Sequence, residues 1–254
     1  MDTYFDLGEY SFPVTTQSTE AQKWFDRGIL WTYGYNHEEA VLCFERAIGA
    51  DPKCAMAYWG AGYASGPNYN MPWDLFDYAG RAAAARAGYA NARKALDMID
   101  GVTRWEAALI NALPARYPQP DPLDPEAMKA WNVDFADAMR EVFAAHPESH
   151  EVRTVFAESL LNLTPWKMWD LPSGQPASGA RTVEAQKVLE EALEGDPSAL
   201  YHPGLLHLYV HLMEMSPFPE KALKAGDALR RLVPDAGHLI HMPTHIDILC
   251  GHYQ

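Results

Sequence analysis

Three observations predict an all-α fold built as an array of helical pairs. Helical periodicity dominates the chain, and alternating, strand-like runs are absent. Helical segments stop repeatedly at a short proline turn, at Asp51-Pro52, His146-Pro147, Asp196-Pro197 and Val233-Pro234. Each stop is followed at once by a new helical pattern, and the last three lie 50 and 37 residues apart, distances typical of stacked helix pairs.

Taken in order, residues 1–20 form an N-terminal extension without a basic region followed by an apolar run. Residues 21–98 hold the clearest helical pairs. Trp24, Gly28, Trp31, Ala40, Phe44, Ala47 and Pro52 have the spacing of a helix, a turn at Gly34 and a second helix, with small residues for close packing. Met56, Ala57, Tyr58, Trp59 and Gly62 open the next unit, and Leu75 to Met98, rich in alanine and arginine, continues as a long helix. Between 99 and 124 the string Thr103-Arg-Trp-Glu106 reads as a capping box opening a helix towards Leu113. Five prolines from Pro114 to Pro125 then predict a connection. Residues 125–254 return to helical pairs, interrupted by a loop from Thr164 to Ala180. Ala185, Leu189, Ala192 and Pro197 read as one second helix, and Ala222, Gly226, Leu229 and Pro234 as another. Gly237 to Cys250 reads as a first helix whose partner is missing. Its apolar face, with Ile246 and Leu249, is therefore expected to be covered by further sequence or by another chain.

On the residues from Trp24 to Pro52 the chain resembles the tetratricopeptide repeat, and all signature positions of one repeat are matched. More loosely the resemblance covers 20–65 and 125–254. It implies a right-handed α-solenoid with first helices lining a concave groove, and a protein- or peptide-binding scaffold as the default role. The groove expected here offers histidine and aromatic residues instead of the Lys, Arg and Asn that hold peptide carboxylates, a departure from that pattern.

Composition bounds the partners. With 20 Lys and Arg against 34 Asp and Glu, the net charge of −14 repels nucleic acid and anionic membranes, and no stretch approaches a membrane span in length. A cytoplasmic chain is expected, its three cysteines, Cys43, Cys54 and Cys250, reduced.

The strongest chemical signal lies near the C-terminus. Seven of the ten histidines fall between Tyr201 and Tyr253. His207 and His211 with Glu214, and His238, His241 and His245, each span an arc of about 60° on their own helix. The resemblance places these two helices side by side as first helices of consecutive repeats. Four imidazoles, His207, His211, His241 and His245, are then expected to share one ion, with His238 or Glu214 completing the shell and Asp247 as a further oxygen. Zinc, copper, iron and nickel all suit imidazole. Pro243 must kink the second helix or mark its start, and a start there removes His238 from the cluster. His202 lies about 140° away around its helix and does not join.

A second set of candidates sits on the expected rim. Asn68 and Asn70, Trp166 and Phe218 lie in proline-aromatic loops that each follow a first helix, while Trp59 and Tyr63, four apart, are expected to face the groove. Two functions stand open: a scaffold for a protein, peptide or small-molecule ligand, and a metalloenzyme, hydrolytic or oxidative. No phosphate loop, Ser-His-Asp order or His-Glu-x-x-His string supports a more specific chemistry.

Overall fold

The computed structural model describes residues 4–253. The chain is all-α, with helices α1 (Thr19–Tyr33), α2 (His37–Ala50), α3 (Ala55–Ala64), α4 (Tyr78–Leu96), α5 (Arg104–Arg116), α6 (Pro125–Ala145), α7 (His150–Leu161), α8 (Thr182–Gly195), α9 (Pro203–Met213), α10 (Leu223–Leu229), α11 (Gly237–His241) and α12 (Pro243–Leu249). The loop 164–180 contains a two-residue hairpin, β1 (Trp169–Asp170) against β2 (Gln175–Pro176). Many helix starts are legible as caps. Ser18, Asp77, Asp124 and Ser149 each accept a backbone N–H of the first turn, and Thr103 with Glu106 closes a capping box.

The long helix starts at Tyr78, after the Asp77 cap, and not at Leu75, which lies in a 3₁₀ turn from Trp73 to Leu75. Pro114 does not open the connection as expected. It sits inside α5, which runs on to Arg116 before Tyr117 ends it. A proline so near a helix end forfeits little hydrogen bonding. The turn beyond it is anchored in the interior, where the Arg116 guanidinium donates to the Pro67 carbonyl and the Tyr117 hydroxyl to Gly62 O at 2.8 Å.

Consecutive helices pack on each other throughout: α1 on α2, α2 on α3, α3 on α4, α5 on α6, α6 on α7, α7 on α8, and α9 on α10. Gly28 and Gly60 both face the Phe44 ring, where an added Cβ would sit 2.6 and 2.4 Å away, so α1, α2 and α3 approach as closely as backbones allow. An inner layer forms from alternate helices, with α1 on α3, α3 on α5, α7 on α9 and α9 on α12. In addition α1 touches α9, a contact between distant units that nearest-neighbour stacking does not supply. Every residue of α9, and nearly every residue of α3 and α7, is buried accordingly.

The N-terminal segment ties the two ends together. Asp6 N–H donates to Asp235 Oδ2 at 2.6 Å, Tyr10 Oη lies 2.9 Å from His202 Nε2, and Thr15 N–H donates to Glu106 Oε1 at 2.6 Å. At the C-terminal end α12 packs on α9 and α10. Ile246 is thereby buried, while Leu249 and Ile248 stay exposed. Among the described residues, no helix is long and apolar enough to cross a membrane.

Candidate metal centre

Helix α9 starts at Pro203 with His202 as its cap, which puts His207 and His211 one turn apart on a helix buried on every side. Both imidazoles are within 3% of full burial. Across the α9–α12 contact stands α11, whose first turn carries His238. The break at Met242 before Pro243 ends α11 but does not remove His238 from the cluster. His238 Nε2 lies 3.0 Å from His207 Nε2, and ring nitrogens of His207, His211 and His238 all fall within 4.8 Å of one another. Two nitrogens bound to one tetrahedral zinc at about 2.0 to 2.1 Å are about 3.3 Å apart, so this group is close enough to hold an ion.

One imidazole is set for the task. His211 Nδ1 is 2.7 Å from Glu214 Oε1, so it is the Nδ1–H that donates, and the lone pair is left on Nε2. That Nε2 is buried and has no hydrogen-bonding protein group. A buried imidazole with its distal nitrogen on a carboxylate and its other nitrogen free is the arrangement of an oriented metal ligand.

Aromatic rings wall the group. The Tyr35 ring lies 4.6 Å from His207, 5.6 Å from His211 in a stacked orientation and 5.5 Å from His238. Tyr69 is 4.8 Å from His211. Tyr35 occupies the left-handed region at φ 56°, a position after a helix end that favours glycine or asparagine. Holding a bulky ring there costs about 1 kcal/mol or more, strain of the kind that collects at sites. The Tyr35 hydroxyl is buried without a hydrogen-bond partner among the described residues.

The group opens on a pocket of about 780 Å³ to which His211, His238, Glu214 and Trp166 contribute. Asn70 and Trp166, from two different loops, meet at its mouth. Trp166 Nε1–H donates to Asn70 Oδ1 at 3.3 Å, and Asn70 Nδ2 is 3.5 Å from His238 Nε2. Trp166 too has a positive φ, 56°.

Burial keeps the imidazoles neutral, the form that ligates metal. Desolvation, reinforced by the neighbouring histidines, pushes His207 well below the ordinary range and His238 down to about 4. Desolvation also lowers His211, against the opposing pull of Glu214. Burial works against the charge on Glu214, but the hydrogen bonds and electrostatic pull of the His211 and His245 rings outweigh it and hold the carboxyl below its usual range.

The remaining sequence candidates scatter. His241 and His245 lie on the same pocket but apart from the three-histidine group, their Nε2 atoms 2.8 Å from each other. The expected set of His207, His211, His241 and His245 therefore gives way to the group His207, His211 and His238. Asp247 is no ligand, because Arg230 holds its carboxylate at 2.8 Å. Trp59 and Tyr63 do not face a groove. They are fully buried, stacked at 5.1 Å, with Trp59 Nε1–H donating to Leu109 O and the Tyr63 hydroxyl to Glu158, beneath the Arg116 guanidinium. Asn68 is buried and shapes its own turn, its Oδ1 accepting from Asn70 N–H and Met71 N–H at 2.9 Å. Phe218 is half exposed and lies outside the pocket.

Tyr35 and Tyr69 were not among the sequence candidates. The available signal was the string Gly34-Tyr35-Asn36, which puts a large aromatic where a helix-ending turn favours a small residue. In comparisons with known proteins, no protein-family model and no curated protein matches this chain.

Proposed function

We propose that this chain is a metal-binding protein built from tetratricopeptide-like helical pairs, with its ion held by His207, His211 and His238 beside a small-molecule pocket. The observation that carries the reading is His211, buried, fixed by Glu214 and with its Nε2 turned to no protein group. Pairwise helix packing supports the repeat-like description. Zinc, copper and iron all accept imidazole ligands. Three nitrogen ligands are the count of catalytic zinc sites, where the ion polarises a carbonyl or activates water. The protein's own part is to keep three neutral donors in place and to admit a ligand past Asn70 and Trp166.

Elemental analysis of the whole chain purified without chelators tests this, with at least one equivalent of transition metal expected. An open position is read by adding azide to the cobalt- or copper-loaded protein and following its visible spectrum. Protein that carries no metal and takes none up overturns the reading. A second reading, a scaffold for a peptide, then becomes the better one. It is favoured by a groove of about 1010 Å³ that runs past His238 along α2 and α4 and exposes Leu42 and Met71.

A further inference from the structure

Glu214 does more than orient His211. Its second oxygen, Oε2, lies 2.5 Å from His245 Nδ1, so one carboxylate accepts from two imidazoles. An ionised carboxylate offers no proton, and the proton of each contact must therefore sit on the histidine Nδ1. His245 is thus placed in the same tautomer as His211, with a lone pair on Nε2. One turn earlier on the same face, across the Met242 break, His241 brings its own Nε2 to 2.8 Å from that lone pair. The spacing is i, i+4, and the nitrogens lie within about half an ångström of the separation two imidazoles adopt on one ion.

We propose that the pocket holds a second metal ion, on His241 and His245, prepared by the same carboxylate that prepares the buried centre. The inference rests on the metal reading of His207, His211 and His238 and extends it to a two-ion site. His211 and His238 of the first group, and His241 and His245, face one pocket together with Glu214, Trp166 and Asn70. The second position differs in kind. Its side chains are partly exposed, Asp247 is taken by Arg230, and Thr244 Oγ1–H donates to the His241 carbonyl, so solvent or a bound ligand must complete the shell. Two protein ligands and open access make it the weaker, exchangeable position, with affinity at least tenfold below that of the first. A pocket lined by two ions suits a ligand with two acceptor oxygens or a bridging oxygen.

The experiment is a zinc titration of the chelator-stripped whole chain against a chromophoric competitor, repeated with His241→Ala/His245→Ala and His241→Gln/His245→Gln. Two equivalents in two affinity classes are expected for the natural chain and one tight equivalent for either variant. Copper(II) loading adds a proximity readout. Two ions in one pocket should give a magnetically coupled spectrum, and the double variants should give that of an isolated ion. A single equivalent in the natural chain overturns the second site and leaves the first standing. No binding at all overturns both. A second equivalent that survives the double substitutions shows that it binds elsewhere and also overturns the proposal.

Discussion

His202 and His211 stand on the same helix, are equally buried and each lie against tyrosine rings, yet they are built for different purposes. His202 caps α9. Its Nδ1 accepts Leu205 N–H at 3.2 Å, which puts the proton on Nε2, and that nitrogen meets the Tyr10 hydroxyl at 2.9 Å. Both ring nitrogens are spoken for by the fold. His211 has one nitrogen on Glu214 and the other on no protein group. Burial and neighbouring aromatics therefore say little about a histidine's role. What separates a structural imidazole from a ligand is whether the fold satisfies its second nitrogen.

The largest effect that can break this contrast is loss of the ion. His207→Ala with His211→Ala should abolish the tightly bound equivalent in a competition titration, while far-ultraviolet circular dichroism stays that of the parent. A tight equivalent that survives would place the first ion elsewhere and dissolve the distinction.

Glu214→Gln comes next. A glutamine side chain has one acceptor oxygen and one donor amide, so it can serve only one of the two Nδ1–H groups. Metal affinity by competition titration should fall about 10- to 100-fold, in line with other losses of a ligand-orienting partner. An unchanged affinity would mean that the tautomers are set by other groups.

His202→Ala should do the reverse of the double variant. Losing the cap and a buried hydrogen bond costs about 1 to 3 kcal/mol, read as a lower urea midpoint, with metal stoichiometry unchanged. A variant of parental stability that has lost its metal would invert the assignment.

Acid should weaken both histidines in the metal-free chain. Desolvation drives His202 down to about 3 and His238 to about 4, below the unfolded value of about 6.5. The unfolded chain therefore binds more protons as pH falls below about 6.5. Stability should decline from there towards pH 4, by at most about 1.4 kcal/mol per pH unit for each such histidine. Urea midpoints at pH 7.5 and 5.0 measure this, and a stability that rises on acidification would contradict the burial of neutral imidazole. In the folded chain, protons should compete for the ligand nitrogens only near pH 4, where His238 begins to protonate, so metal affinity should hold until then.

Tyr35→Phe should have the smallest effect. It deletes a buried hydroxyl with no protein partner, so thermal stability should be unchanged or slightly raised. A clear loss of stability would show that the hydroxyl is satisfied within the fold, as the Nε2 of His202 is.

Much of the secondary structure was legible because it is local. The capping box at Thr103, proline stops and the 3.6-residue period need no partner to be read. The same period gave two narrow imidazole stripes, and those stripes do stand on touching helices. It failed for Trp59 and Tyr63, because α3 is buried on nearly every side and has no wet face for a stripe to mark.

By itself, then, the sequence determined an all-α chain, several of the places where its helices begin and stop, and the angle at which each histidine leaves its own helix axis. Only the tertiary structure decided that His238 joins His207 and His211, that His241 pairs with His245, and that Tyr35 and Tyr69 wall the group. The physical reason is that periodicity fixes direction about one axis, while a coordination shell depends on distances between axes. Those distances come from close contacts such as Gly28 and Gly60 on Phe44 and from the approach of α1 to α9, which join residues far apart in the chain.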